Sequence, residues 1–245
     1  PNAMSSSVVG ATLITDRFGN AGKAYRFNGT SDRIEVPAHA ALHAQSITVS
    51  CWVKFNGSTG QQYQSFVAKT LGGGSLNSFV ACYDQNIASI GNWSCNSGFC
   101  GNLFTGNALL GAWRHFTLVF DDANNVMRIY LNGAQVTSVV SNFSLGYDGM
   151  PLTIGCEYEN NVPSYFANAD IDEVMVFGRA LSDAEVMSVY RVTNSPDINV
   201  QQYAQDSDRN LFYTGSTVNA CSEIAGYGLT SAMLGGGDCN DGVAA

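Results

Sequence analysis

Between residues 24 and 178 the chain is cut into short segments that alternate apolar and polar residues, with clusters of Gly, Asn, Asp and Pro between them. "AYRFNG", "RIEVP", "SITVSCWVKF", "SFVAKT", "NSFVACYD", "HFTLVFD", "VMRIYL", "AQVTSVV", "PLTIGC" and "IDEVMVF" are too short for helices and carry the period of two of half-buried strands. In "SITVSCWVKF", Val49, Cys51 and Val53 fall on one face, and Ser50, Trp52 and Lys54 on the other. Asn132-Gly133, between "VMRIYL" and "AQVTSVV", suits the positive φ angles of a type I′ turn and marks a hairpin. "DDANN" (121–125) makes a longer turn just before it.

One late segment reads differently. Ser182 and Glu185 have the spacing of a capping box, Asp183 lies where a helix dipole favours negative charge, and Val186, Val189 and Tyr190 share a face. Many short strands and a single short C-terminal helix predict an all-β fold, an antiparallel two-sheet sandwich of jelly-roll type.

Composition narrows the setting. The chain has 26 glycines and 13% charged residues, the profile of a turn-rich extracellular β protein, and its length allows one sizeable core with a small appendage. A net charge of −9 without any Lys/Arg cluster argues against nucleic acid or an anionic membrane as partner, and is compatible with bound cations. No apolar run approaches the roughly 20 residues of a membrane-spanning helix. The abrupt start at "PNAMSSSVVG" suggests a processed form from which any signal peptide has gone.

Seven cysteines are many for a reducing compartment. Cys95 and Cys100 bracket a short Gly/Asn loop that a local disulfide would staple, and Cys221 and Cys239 make a second pair. Cys51, Cys82 and Cys156 lie in strand-like segments, so one of them is expected to be left over, as a buried thiol or an intermolecular bridge. Sequons start at Asn28, Asn56, Asn92 and Asn142.

Four blocks carry a family resemblance: "TLITDRFGNAGKAYRFNGTSDRIEVP", "SITVSCWVKF", "GAWRHFTLVFDDANNVMRIYLNGAQV" and "ADIDEVMVFGRALSDAEV". In this order, over residues 11–190, they resemble a bacterial laminin-G-like, concanavalin A-like jelly-roll domain. Such domains usually begin with an extra strand, of which only a shortened "PNAMSSSVVG" remains here, leaving an edge that something must cover. The family implies a structural calcium, for which Asp172 would be the main ligand. Carbonyls near Asn28 and Gly29 and the Asp32 carboxylate would join it, an oxygen-rich set of the kind Ca²⁺ takes. Such an ion would tie the last strand of the sandwich to the second one.

Glucanases of that fold carry two glutamates in an E-x-D-x-(x)-E strand motif, flanking the scissile bond as nucleophile and acid/base. Here the motif meets Asp170, Asp172 and then Met175, which can neither give nor take a proton. His39, His43 and His115 are scattered and lie in no hydrolase motif, and His115 in "WRHF" reads as a packed residue. No catalytic residue is expected.

After Tyr190 the texture changes. Residues 1–190 read as the jelly-roll domain, 191–202 as a Pro-containing polar linker and 203–245 as a small extension. Asp206, Asp208 and Asn210 alternate as in the first ligands of a calcium loop, although Leu211 stands where an EF-hand needs glycine. The order Tyr, D-x-D-x-N, Cys, Gly-Tyr, Asp-Cys-Asn-Asp is similar to the Asp-rich MopE-like metal-binding repeat of secreted bacterial proteins. That resemblance implies Asp206, Asp208, Asn210, Asp238 and Asp241 as calcium ligands, with Cys221–Cys239 closing the loop. So small a unit needs a disulfide or metal staple.

The function these features imply is a calcium-stabilised, non-catalytic recognition domain, secreted or at the cell surface, that binds glycan or extracellular protein in adhesion. Jelly-roll sandwiches bind sugars through aromatic platforms backed by polar side chains. Trp93, and Tyr158, Asn160, Asn161, Tyr165 and Phe166 in "CEYENNVPSYFAN", are the candidates. The alternative is a self-assembling subunit of an extracellular filament, sheath or adhesin, a homo-oligomer or polymer in which a neighbour's terminal segment completes the sheet by strand addition.

Overall fold

In the computed structural model, residues 6–72, 76–96, 99–106, 110–194 and 212–215 are described, with 95–96, 99–106 and 212–215 described by backbone alone. One sheet runs β1 (Ser7–Val9), β4 (Arg33–Val36), β13 (Leu152–Ile154), β6 (Tyr63–Thr70), β7 (Asn77–Asp84), β8 (Ser89–Asn96), β9 (Phe99–Gly106). The other runs β12 (Ala134–Val140), β11 (Val126–Leu131), β10 (Arg114–Asp121), β5 (Ile47–Phe55), β16 (Asn168–Phe177), β3 (Ala24–Asn28), β2 (Thr12–Ile14). The eighth strand of this second sheet, β17 (Phe212–Gly215), lies parallel to Val174–Phe177 of β16. A small hairpin, β14 (Glu157–Glu159) and β15 (Val162–Ser164), stands apart from both sheets. The remaining strand pairs are antiparallel, as the sequence pattern predicts.

The core follows from the alternation. Val49, Cys51 and Val53 of β5 face inward with Phe116 and Leu118 of β10 and Ala169, Ile171, Val174 and Val176 of β16, and meet Phe66, Phe79 and Ala81 of the opposite sheet. Phe66 and Phe116 pack edge to face across the seam, with ring centroids 5.0 Å apart. The opposite parity of β16 points outward, and there Met175 and Phe177 are covered by helix α1 (Asp183–Thr193), which buries Val186 and Val189 against them with Val119 and Tyr130. The Ser182–Glu185 capping box is formed in both directions. At the tip of the β11–β12 hairpin, Asn132 (φ 51°) and Gly133 (φ 78°) take the left-handed conformations of a type I′ turn. A side chain at Gly133 would collide with Tyr190 of the helix.

Three expectations need correction. The segment read as a shortened remnant supplies a strand, β1, which pairs with β4 in one sheet, and after the turn at Gly10 (φ 76°) β2 pairs with β3 in the other. Cys51, Cys82 and Cys156 are all free and buried, because Cys51 lies in the main core, Cys82 on the opposite face of its sheet and Cys156 beyond β13. Asn92, the start of one sequon, is fully buried with its side-chain oxygen taking the Val80 N–H, so as folded it offers no surface for a glycan.

Strands β8 (Ser89–Asn96) and β9 (Phe99–Gly106) pair antiparallel, so Cys95 and Cys100, read from sequence as bracketing a short Gly/Asn loop, themselves lie in strands. Cys95 stands directly opposite Cys100 in the β8–β9 register.

Candidate ligand-binding surface

The outer face of the β6–β7–β8 strands is built on a small apolar patch. Ala68, Val80 and Cys82 are buried there although they point away from the sandwich core, and Tyr63 and Trp93 roof them. The register brings these residues together: Tyr63 pairs with Asp84 and Ser65 with Cys82, while Val80 stands opposite Trp93.

The third ring arrives from the β14–β15 hairpin. Its turn is Asn160-Asn161, both with positive φ, which asparagine tolerates. The chain after β15 then lies along β6. The Tyr165 carbonyl accepts the Ser65 N–H at 2.8 Å, and Ser65 forms a parallel bridge with Phe166. Tyr165, itself at φ 50°, sets its ring against Tyr63 at 5.9 Å between centroids and 70° between planes. Trp93 also packs against Tyr63, at 6.1 Å between centroids and 53° between planes. Three half-buried aromatics from separate parts of the chain thus form one surface.

Polar groups line it. Glu157 of β14 is 6% exposed and accepts the Ser65 hydroxyl at 2.9 Å, while Glu159, on the same face of β14, shares a hydrogen bond with it. Burial, with the neighbouring Glu159 charge, pushes the Glu157 carboxyl up to about 8, so near pH 7 it is largely protonated. Asp84 accepts from Gln62 at 3.2 Å and from the Asn86 N–H at 2.9 Å, and Gln62 also donates to the Tyr63 hydroxyl. Burial and these acidic neighbours raise both the Tyr63 and the Tyr165 phenols.

Of the residues singled out by sequence, Trp93 and Tyr165 meet on this surface through Tyr63, which sequence reasoning missed. Phe166 is partly buried beside them, and Asn160 and Asn161 are exposed at the hairpin tip. Tyr158 points the other way, donating to Glu35 at 2.7 Å.

The residues proposed to share a calcium are not brought together. Asn28 pairs with Asn168, four residues along β16 from Asp172, a separation of about 13 Å at the strand rise. The Asn28 side-chain oxygen folds back onto the N–H groups of Thr30, Ser31 and Asp32. Gly29 (φ 76°) packs against Thr59 and Asn168, and the Asp32 carboxylate takes the Asn28 N–H at 3.1 Å. Asp172 faces a cation the chain supplies: Arg17 reaches it at 2.7 Å and Glu173 at 2.9 Å, donates to the Thr193 carbonyl, and stacks on Phe18 and Trp52. Burial raises both carboxyls, and for Glu173 the Asp172 charge adds to it. This oxygen set is matched to a guanidinium.

The motif compared with glucanases lies on the same outer face. Asp170 is fully buried among Arg26, Lys54 and Asn56; burial alone would raise its pKa, and these donors hold it below the usual carboxylate range. Met175 sits in the seam under α1. His115 and Ser50 are 2.9 Å apart, a spacing that could pair a base with a nucleophile. Both are wholly buried, next to Trp52, and burial with the Arg17 charge pushes His115 down to about 3. His39 accepts the Ala41 N–H and His43 stacks on Tyr147.

Asp206, Asp208, Asn210, Asp238, Asp241, Cys221 and Cys239 lie outside the described residues. Among the described ones, no group of three or more His, Cys, Asp and Glu is arranged to hold a metal, and no helix is long and apolar enough to cross a membrane.

Two antiparallel sheets with one helix sealing the outer face of the closing strand define a lectin-like sandwich. Residues 28–187 match a laminin G family model described as the concanavalin A-like lectin/glucanases superfamily, and the chain belongs to that superfamily. The binding domain of Paraclostridial Mosquitocidal Protein 1 superposes with a TM-score of 0.62 at 17% identity, over 79% of this chain and 49% of that one. The binding domain of botulinum neurotoxin serotype G gives 0.61 at 15% identity, over 79% and 48%. The heptameric SAP-like pentraxin of Limulus polyphemus gives 0.54 at 17% identity, over 70% and 82%. The chain therefore spans about half the length of the toxin binding domains it matches. At these identities the likeness is one of fold. No curated protein matches the sequence.

Proposed function

We propose that the chain is a non-catalytic recognition domain that binds a glycan on the surface formed by Tyr63, Trp93 and Tyr165. The observation that carries this reading is the convergence of three half-buried rings, each from a separate part of the chain, beside hydrogen-bonding side chains. Sugars bind by laying their C–H faces on such rings while polar groups take the hydroxyls. The fold alone would not support it, since one sandwich hosts many functions. The toxin binding domains and the pentraxin supply support by analogy, and with it an extracellular or cell-surface setting and a role in adhesion. A glycan array probed with the intact protein and with Tyr63→Ala and Trp93→Ala tests the reading.

Two staples belong to the same proposal. Directly opposed antiparallel residues are within disulfide reach, which favours a Cys95–Cys100 bond. A calcium role falls to the extension at 203–245, with Cys221–Cys239 closing its loop. The motive for the assembly alternative is weaker than the sequence suggests, because β1 and β2 already pair where a missing strand was expected.

A further inference from the structure

Several carboxyls among the described residues are neutralised from within. Asp170 has Arg26 and Lys54, Asp172 has Arg17, Asp121 has Arg128, Asp148 has Lys69, Glu35 has Arg33 and Glu185 has Arg179. Glu157 differs. It is as buried as most of these, yet it takes part in none of the ion pairs among the described residues, and neither does Asp84, which pairs with Tyr63 in the register.

The position matters as much as the charge. Glu157 and Glu159 project from one face of β14, and both act electrostatically on the Tyr165 phenol; Glu157 and Asp84 act on that of Tyr63. Rings and carboxyls therefore belong to one surface. The rings are inclined by 53° and 70°, so they enclose a corner instead of presenting a flat floor. A corner of aromatic faces attracts a positive group through the ring quadrupoles, and an ammonium beside Glu157 favours release of the proton that the buried carboxyl otherwise holds near neutral pH.

Resting on the glycan reading above, we infer that the preferred ligand is a glycan bearing a free amino group, whose ammonium docks at Glu157 while its pyranose ring lies against the Tyr63–Trp93–Tyr165 corner. A neutral sugar uses the rings alone. An amino sugar uses the rings and also supplies the cation that the chain withholds from Glu157. Glu157 is thereby the residue that sets specificity, and Ser65 orients it through the 2.9 Å hydrogen bond.

The test compares a glucosamine oligosaccharide with its N-acetylated counterpart by calorimetry on the full chain at neutral pH. The free amine should bind at least about 10-fold more tightly, or about 1.4 kcal/mol. Glu157→Gln keeps the shape and a Ser65 partner, so it should abolish the preference, the two oligosaccharides then binding within about 2-fold of each other, its folding checked by melting. Trp93→Ala should weaken both ligands. Equal affinity of the two oligosaccharides, failure of the free amine to bind, or a preference that survives both Glu157→Gln and Glu159→Gln overturns the inference. Neutral-glycan binding that still depends on Trp93 would then leave the glycan reading standing, and binding indifferent to Trp93 would remove that reading as well.

Discussion

Arg17 joins three segments far apart in sequence: the loop before β3, the irregular stretch of β16 where Glu173 takes φ 49°, and the last turn of α1. Its side chain is 5% exposed, so water cannot replace what it supplies. Removing one partner of a buried ion pair typically costs about 3–5 kcal/mol, because the other charge is stranded. Arg17→Met is expected to cost that much in urea denaturation, and a loss under about 1 kcal/mol would contradict the role given to it here. Glu157 makes a complementary prediction. Its carboxyl binds its proton up to about pH 8 when folded and loses it near the ordinary glutamate value of 4.5 when unfolded. Between those values the native state holds the extra proton, so this residue's contribution is full at low pH and is lost as pH rises toward 8. Glu157→Gln cannot titrate. Its stability relative to the native protein should therefore rise between pH 5 and pH 8, by on the order of a few kcal/mol. Parallel pH profiles of the two proteins would show that the carboxyl is not held neutral.

At the scale of elements, the capping box of α1 is both legible and testable. Ser182→Ala should cost about 1 kcal/mol, read as a lower melting temperature, by removing the side-chain acceptor for the Glu185 N–H. That helix, the Asn132-Gly133 turn and the long apolar strands were readable because local propensity and burial agree there. The β8–β9 hairpin was not, since "SIGNWSCNSGFCGNLFTG" is rich in Gly, Asn and Ser, and its pairing comes from neighbours across the sheet. Strands β1, β2, β14 and β15 have three residues each, too few to show a period. The binding surface was half legible. Trp93 and Tyr165 stand out as aromatics in polar, turn-rich segments, whereas Tyr63 opens a strand whose other residues are buried, and nothing local marks it as the ring between them. The "EYE" of β14 gives two acids on one face, a signal available from strand parity alone. The sequence named Asp172 as a calcium ligand and could not show Arg17 beside it, because a one-dimensional motif does not say which cation answers a carboxylate. Arg17 is 155 residues from Asp172.

At the scale of the whole molecule, the sandwich assigns its two outer faces different tasks. One is sealed by α1 over Met175, Phe177 and Tyr130, which leaves the acidic strand as part of a structural seam. The other carries the aromatic corner, roofing a patch buried outside the main core. Strand β17, drawn from the extension, pairs in parallel with Val174–Phe177 of β16 in the second sheet, so residues 212–215 are tied to the sandwich through backbone. If the extension binds calcium as proposed, adding calcium should raise the melting temperature of the full chain and a chelator should lower it, because a ion bound only by the folded state stabilises it by mass action. Unchanged melting together with no calcium by elemental analysis would remove the metal from the account. The most direct test of the central claim is glycan binding by the native protein and by Trp93→Ala, measured side by side on an array. The account predicts binding to a defined set of glycans that weakens in the variant by about 2 kcal/mol, or roughly 30-fold, the scale of an aromatic hot spot. A native protein that binds no glycan, or a variant that binds as well as the native protein, would contradict it.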